Sequence, residues 1–160
     1  MADRSRSYGV ATPEQIAGRS GRQVLEAMLA GELPAAPIAR LMGFDLVEVG
    51  DGLAIFAGEP FADLLNPLGI IHGGWALTLI DSAAGCAAHS TLAPGFGYTT
   101  IETKVNFARP INPDSGKVRA EGRVITAGRR IIATDARITD SRGRILAHGT
   151  STLMVFAPEG

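Results

Sequence analysis

Asn66, His72, Gly73 and Asp81 are the residues whose types and spacing could do chemistry in this chain. Asn66-Pro67-Leu68-Gly69 is turn chemistry. His72-Gly73-Gly74 follows, and then a long apolar stretch with a lone carboxylate, Asp81, inside it. Ala76, Ile80, Ala83, Ala84 and Ala87 recur at helical spacing, which predicts a helix from near Gly73 to before Pro94. The start of a helix carries unpaired N–H groups and a positive partial charge. Gly73 and Gly74 leave that end open to close approach, so an oxyanion developing there would meet preorganised donors.

Asp81 lies roughly 12 Å along the helix axis from Gly73. One aspartate side chain cannot bridge that gap. If both ends serve one reaction, the carboxylate comes from a second copy of the chain, in a two-fold dimer with shared sites. Helix pattern alone also permits a plainer reading, in which Asp81 is a solvated member of a polar stripe with Thr78, Ser82, Gly85 and His89.

Composition narrows the function. The 160 residues suit one domain with a sizeable core, and the net charge of −1 gives no electrostatic case for nucleic acid or membrane binding. No apolar run reaches the ~18 residues of a membrane span. The first residues, Met-Ala-Asp-Arg-Ser-Arg-Ser-Tyr, lack the apolar core of a signal peptide, so a cytoplasmic location is expected. The single cysteine, Cys86, sits among alanines and reads as a packing residue. The three histidines, His72, His89 and His148, show no metal-ligand spacing, so neither metal nor cofactor is expected.

Residues 1–37 read as an N-terminal extension and 38–160 as the main domain. Residues 1–10 are expected to be loosely attached, and a single accessory helix from Pro13 to Ala30. Phe44–Val49 and Leu53–Ala57 read as a hairpin across Gly50-Asp51-Gly52. Past the central helix, four strands follow. The first spans Tyr98–Ala108, with Ile101, Thr103, Val105 and Phe107 on one face. The others run Lys117–Thr126, Arg130–Thr139 and Arg144–Phe156, mostly joined by tight turns. One long helix against a curved antiparallel sheet is an α+β architecture, and its sheet edge needs cover.

With these residues in place, the chain resembles the hotdog-fold thioesterases of the PaaI (phenylacetate-pathway) type, within the 4-hydroxybenzoyl-CoA thioesterase superfamily. The resemblance covers about residues 38–156. It rests on Asn66, Gly69, His72-Gly73-Gly74 and Asp81, then Thr99-Thr100-Ile101-Glu102 and Asn106 to Pro110, with Gly128-Arg129 and Gly143-Arg144. It implies hydrolysis of acyl-CoA thioesters. Gly73 matches the residue whose N–H polarises the carbonyl, and Asn66 the side chain that orients substrate or water. His72 matches its neighbour, Asp81 the carboxylate lent by the opposite subunit, and Thr100 (or Thr99) a hydroxyl beside it. Gly74 is expected to touch substrate, and Arg109, Arg129 and Arg130 to bind CoA phosphates. The expected function is an aryl- or medium-chain acyl-CoA thioesterase, working as a homodimer or dimer of dimers. The alternatives are a non-catalytic acyl-CoA-binding or sensor protein and a hotdog hydratase.

Overall fold

The computed structural model describes residues 6–158. Six strands form one sheet: β1 (Phe44–Gly50), β2 (Leu53–Gly58), β3 (Gly97–Phe107), β4 (Val118–Ala127), β5 (Ile131–Thr139) and β6 (Ile145–Phe156). Their order is β1-β2-β4-β5-β6-β3, and every neighbouring pair is antiparallel. Of the helices α1 (Pro13–Ile16), α2 (Gly21–Leu29), α3 (Pro37–Met42) and α4 (Gly73–His89), the last is the longest and packs across the sheet.

The expected apolar stripe is the core. Ala76, Ile80, Ala83, Ala84 and Ala87 are all buried, together with Trp75 and Leu79. Alanines let α4 lie low on the sheet, where its dispersion contacts are densest. Gly122 in β4 shows how low: a Cβ there would collide with the carbonyl oxygen of Ala83. Trp75 belongs to this core, its indole N–H donating to the Met42 carbonyl at 2.7 Å.

Two expectations about the N-terminal segment fail. The single helix over Pro13–Ala30 is two helices, because Gly18 takes a left-handed φ of 72° and Ser20 opens a new helix. Thr12 with Gln15 and Ser20 with Gln23 each complete a capping box, so each start is separately satisfied. The second failure concerns residues 6–9 (residues 1–5 lie outside the described part). Arg6 reaches Asp45 at 3.1 Å, and Ser7 and Gly9 exchange backbone hydrogen bonds of 2.9 Å with Ala35. These residues are stitched onto the body of the protein.

The third departure matters for the site. β3 does not alternate as its sequence suggests, because its register against β6 shifts between Thr100 and Glu102. Ile101 is extruded and 54 % exposed. A bulge of this kind lets two residues three apart share a face. Thr100 and Thr103 therefore both turn toward α4.

Candidate active site

The loop before α4 is built to present the helix start. The Oδ1 of Asn66 accepts the N–H groups of Leu68 (2.9 Å) and Ile70 (3.3 Å), and Gly69 closes the turn at φ 77°. Backbone bonds from Ile71 to Ile111 and from His72 to Leu64 then fix the chain's entry. His72 is the N-cap, and its Nδ1 accepts the Gly74 N–H at 2.9 Å. Gly74 thus has its N–H engaged. The Gly73 N–H, by contrast, has no acceptor among the described residues. The Phe107 ring stands over Gly73, so close that a Cβ would lie 3.0 Å from it.

Two helical turns further on, Asp81 is held through one oxygen. Its Oδ1 accepts from Thr100 Oγ1 at 3.0 Å and from Thr103 Oγ1 at 3.1 Å. Behind Thr103 lies Ser151, 1 % exposed, whose hydroxyl is 2.9 Å from Thr103 Oγ1 and 3.0 Å from the Glu102 carbonyl. The other oxygen, Oδ2, accepts no hydrogen bond among the described residues and is not sealed off. A carboxylate pinned on one side and open on the other is placed to take a proton or to attack.

The sequence points to Thr100 but not to Thr103, which strict alternation assigns to the Ile101 face. Only the bulge reveals it, and no residue type in Thr100-Ile101-Glu102 announces a bulge. A test follows. Thr103→Val keeps the shape but removes a charge-assisted hydrogen bond worth about 1.5–3 kcal/mol. We expect kcat for the reaction proposed below to fall about tenfold with KM unchanged, and Thr103→Ser to recover it. Equal losses in the Val and Ser variants would mean a packing role only.

The groups beside Asp81 are neutral. Burial, and then the Asp81 charge, push the Cys86 thiol up to about 12, so it is protonated at neutral pH and no thiolate nucleophile is present. Burial, followed by Cys86 and Asp81, raises the Tyr98 phenol. Burial lowers His89, whose ring lies 5.4 Å from that of Tyr98. Among the described residues, no three of His, Cys, Asp and Glu cluster as metal ligands would.

The three arginines are not brought together within one chain. Arg109 lies just past the Phe107 end of β3 and donates to the Ile145 carbonyl at 2.6 Å. Arg129 and Arg130 are exposed in the β4–β5 turn, near the opposite end of β3, where Met154 pairs with both Thr99 and Ile131.

Sequence and fold comparisons bear on this arrangement. A sequence profile described as the Thioesterase superfamily matches residues 68–147, half of the chain. The chain belongs to the thioesterase superfamily. Its strand order and single long helix are the hotdog fold of that family, and its structural neighbours include phenylacetic acid degradation proteins. A conserved protein of Pseudomonas aeruginosa has the same fold at a TM-score of 0.71, with 31 % identity over 76 % of this chain and 94 % of that one. A phenylacetic acid degradation-related protein of Ralstonia eutropha JMP134 gives a TM-score of 0.74 and 25 % identity, covering 81 % of this chain and 98 % of that one. A 1,4-dihydroxy-2-naphthoyl-CoA hydrolase of Listeria monocytogenes is 25 % identical over 114 residues, 71 % of this chain and 91 % of that one. An esterase-like Saccharolobus solfataricus protein is 33 % identical over 88 residues, 55 % of this chain and 57 % of that one. The match to that family member thus spans little more than half its length.

Proposed function

We propose that this protein hydrolyses an aryl- or medium-chain acyl-CoA to the free acid and CoA, at a site shared between two subunits. The observation that carries the reading is the pairing of an open Asp81 Oδ2 with an unspent Gly73 N–H in one chain. Gly73 of one subunit donates to the thioester carbonyl. Asp81 of the other takes a proton from water as that water attacks, or attacks the carbonyl itself to form a transient anhydride. On the water route, collapse breaks the C–S bond and the proton held by the carboxylate leaves with the CoA thiol. On the anhydride route, CoA leaves as thiolate and is protonated by solvent, and water then cleaves the anhydride to free acid and the restored Asp81 carboxylate. Thiolate is a good leaving group, so the step asks for no metal or cofactor. Asn66 and His72 hold the Gly73 loop through Oδ1 and Nδ1, which leaves Asn66 Nδ2 and His72 Nε2 for substrate or water.

Two facts favour sharing. Gly73 and Asp81 sit two turns apart on a rigid helix, beyond the reach of one side chain. β3 is a sheet edge of 11 residues with Ile101 and Phe107 exposed along it, and an uncovered edge of that length invites pairing. Two-fold pairing of β3 with its own copy is antiparallel, so the Phe107 end meets the partner's Gly97 end. That brings the Gly73 site of one subunit toward the partner's Asp81. Homodimer or dimer of dimers, and a cytoplasmic setting, are part of this reading. No described helix is long and apolar enough to cross a membrane.

The Listeria relative's name supports a CoA thioester as substrate. The test is thiol release from a panel of phenylacetyl-, benzoyl-, hydroxybenzoyl- and short- to medium-chain acyl-CoA esters. We expect release from at least one. Binding without release across the panel would favour a non-catalytic acyl-CoA binder. Loss of the enoyl chromophore from an enoyl-CoA, without thiol release, would favour a hydratase.

A further inference from the structure

We infer that the N-terminal segment, which lies outside the family match, builds part of the acyl pocket and sets the size of acyl group the protein accepts. A cavity of about 220 Å³ opens beside Asp81. Asp81 and Thr100 form its reactive wall, with Cys86 and Tyr98 next to them. Phe44, Leu46 and Phe56 contribute from β1 and β2. Met28 of α2 and Ala36, Ile38 and Ala39 at the start of α3 add to the lining from the N-terminal side.

The inference rests on the thioesterase reading, because the acyl carbon must then lie beside Asp81 and its tail must enter adjoining apolar space. This cavity supplies such space: its walls are chiefly carbon, and its neutral Cys86 and Tyr98 place no charge against a hydrocarbon. The one guanidinium in the lining, Arg6, is occupied by Asp45 at 3.1 Å and by the Met28 carbonyl at 3.3 Å. A larger groove of about 650 Å³ shares Arg6, Ala39 and Phe44 with it but is lined by Arg40, Asp45, Glu59 and Lys117, which suits no hydrocarbon tail.

Volume fixes the class of ligand. An apolar cavity of about 150 Å³ holds one benzene ring. The cavity here holds one ring with a short linker, or a medium aliphatic chain, and excludes long-chain acyl groups. Met28 and Ala36 are the adjustable walls. Met28 is half-buried, and Ala36 is exposed on the backbone just before α3, where a larger side chain can be added without disturbing the core.

The experiment compares wild type, Met28→Ala and Ala36→Phe over an acyl-CoA ladder: acetyl, hexanoyl, phenylacetyl, decanoyl, palmitoyl. Wild-type kcat/KM should peak at hexanoyl or phenylacetyl. Met28→Ala should raise the decanoyl-to-hexanoyl ratio about tenfold, and Ala36→Phe should lower the phenylacetyl-to-acetyl ratio about tenfold. Each ratio is taken within one protein, so a uniform change in activity cancels and only a change in acyl-size preference registers. Identical profiles in all three proteins would overturn the inference. If wild type cleaves no ester, calorimetry with non-hydrolysable thioether analogues of the same ladder reads the pocket alone. Affinity ranks that move with the two variants would support it even though the enzyme reading had failed, and unmoved ranks would overturn it.

Discussion

Asp81→Asn is expected to lower kcat for thioester hydrolysis by about a thousandfold, while the protein stays folded and assembled. The magnitude follows from loss of a positioned base, typically worth 10²–10⁴-fold. The direction is the same for the anhydride route, since an amide is a poor nucleophile. Asparagine suits the site structurally because its Oδ1 can still accept from Thr100 and Thr103, which hold the native carboxylate at 3.0 and 3.1 Å. The lesion is therefore chemical. Thiol release under saturating substrate measures it, with size-exclusion chromatography and thermal unfolding as controls. A variant keeping more than about a tenth of wild-type kcat would remove Asp81 from the chemistry.

Gly73→Pro is expected to cost about 10²–10³-fold in kcat, the effect of deleting one oxyanion donor. Proline is chosen because position 73 is the first residue of α4, where a proline's fixed φ is favourable and no helix bond is lost. The preceding His72 already has φ −60° and ψ 133°, the conformation a following proline requires. The substitution thus removes the free N–H and little else of the backbone. Crowding is the competing effect, since any Cβ at 73 lies 3.0 Å from the Phe107 ring. Gly73→Ala isolates it: it keeps the N–H, and Phe107, 60 % exposed, can swing aside. We expect less than a tenfold loss there. Equal kcat losses in the alanine and proline variants would assign the effect to crowding and not to the donor.

Much of this was legible in the residues. The alanine stripe gave α4 its length and buried face, because helical period and side-chain volume are both local properties. The hairpin turns gave antiparallel pairing for the same reason. Two kinds of feature were hidden. The bulge at Ile101 depends on how β3 lies against β6 and α4, so Thr103 looked like an ordinary strand residue. The lining of the cavity joins Met28 and Ala36 to Asp81 and Tyr98, contacts between distant parts of the chain that carry no local pattern. The break at Gly18 lies between these cases. Gly18-Arg19-Ser20 carries a local stop and cap signal, which a single helix over Pro13–Ala30 passes over.

The account's central claim is that each site takes its N–H from one subunit and its carboxylate from the other. Mixing Gly73→Pro and Asp81→Asn subunits, carrying different purification tags, tests it most directly. In a mixed dimer with shared sites, one site holds both lesions and the other holds none. Purified mixed dimers should then release thiol at about half the wild-type rate per dimer, although each parent is nearly inactive. A mixed dimer no more active than its parents would place Gly73 and Asp81 outside a common site and contradict the account.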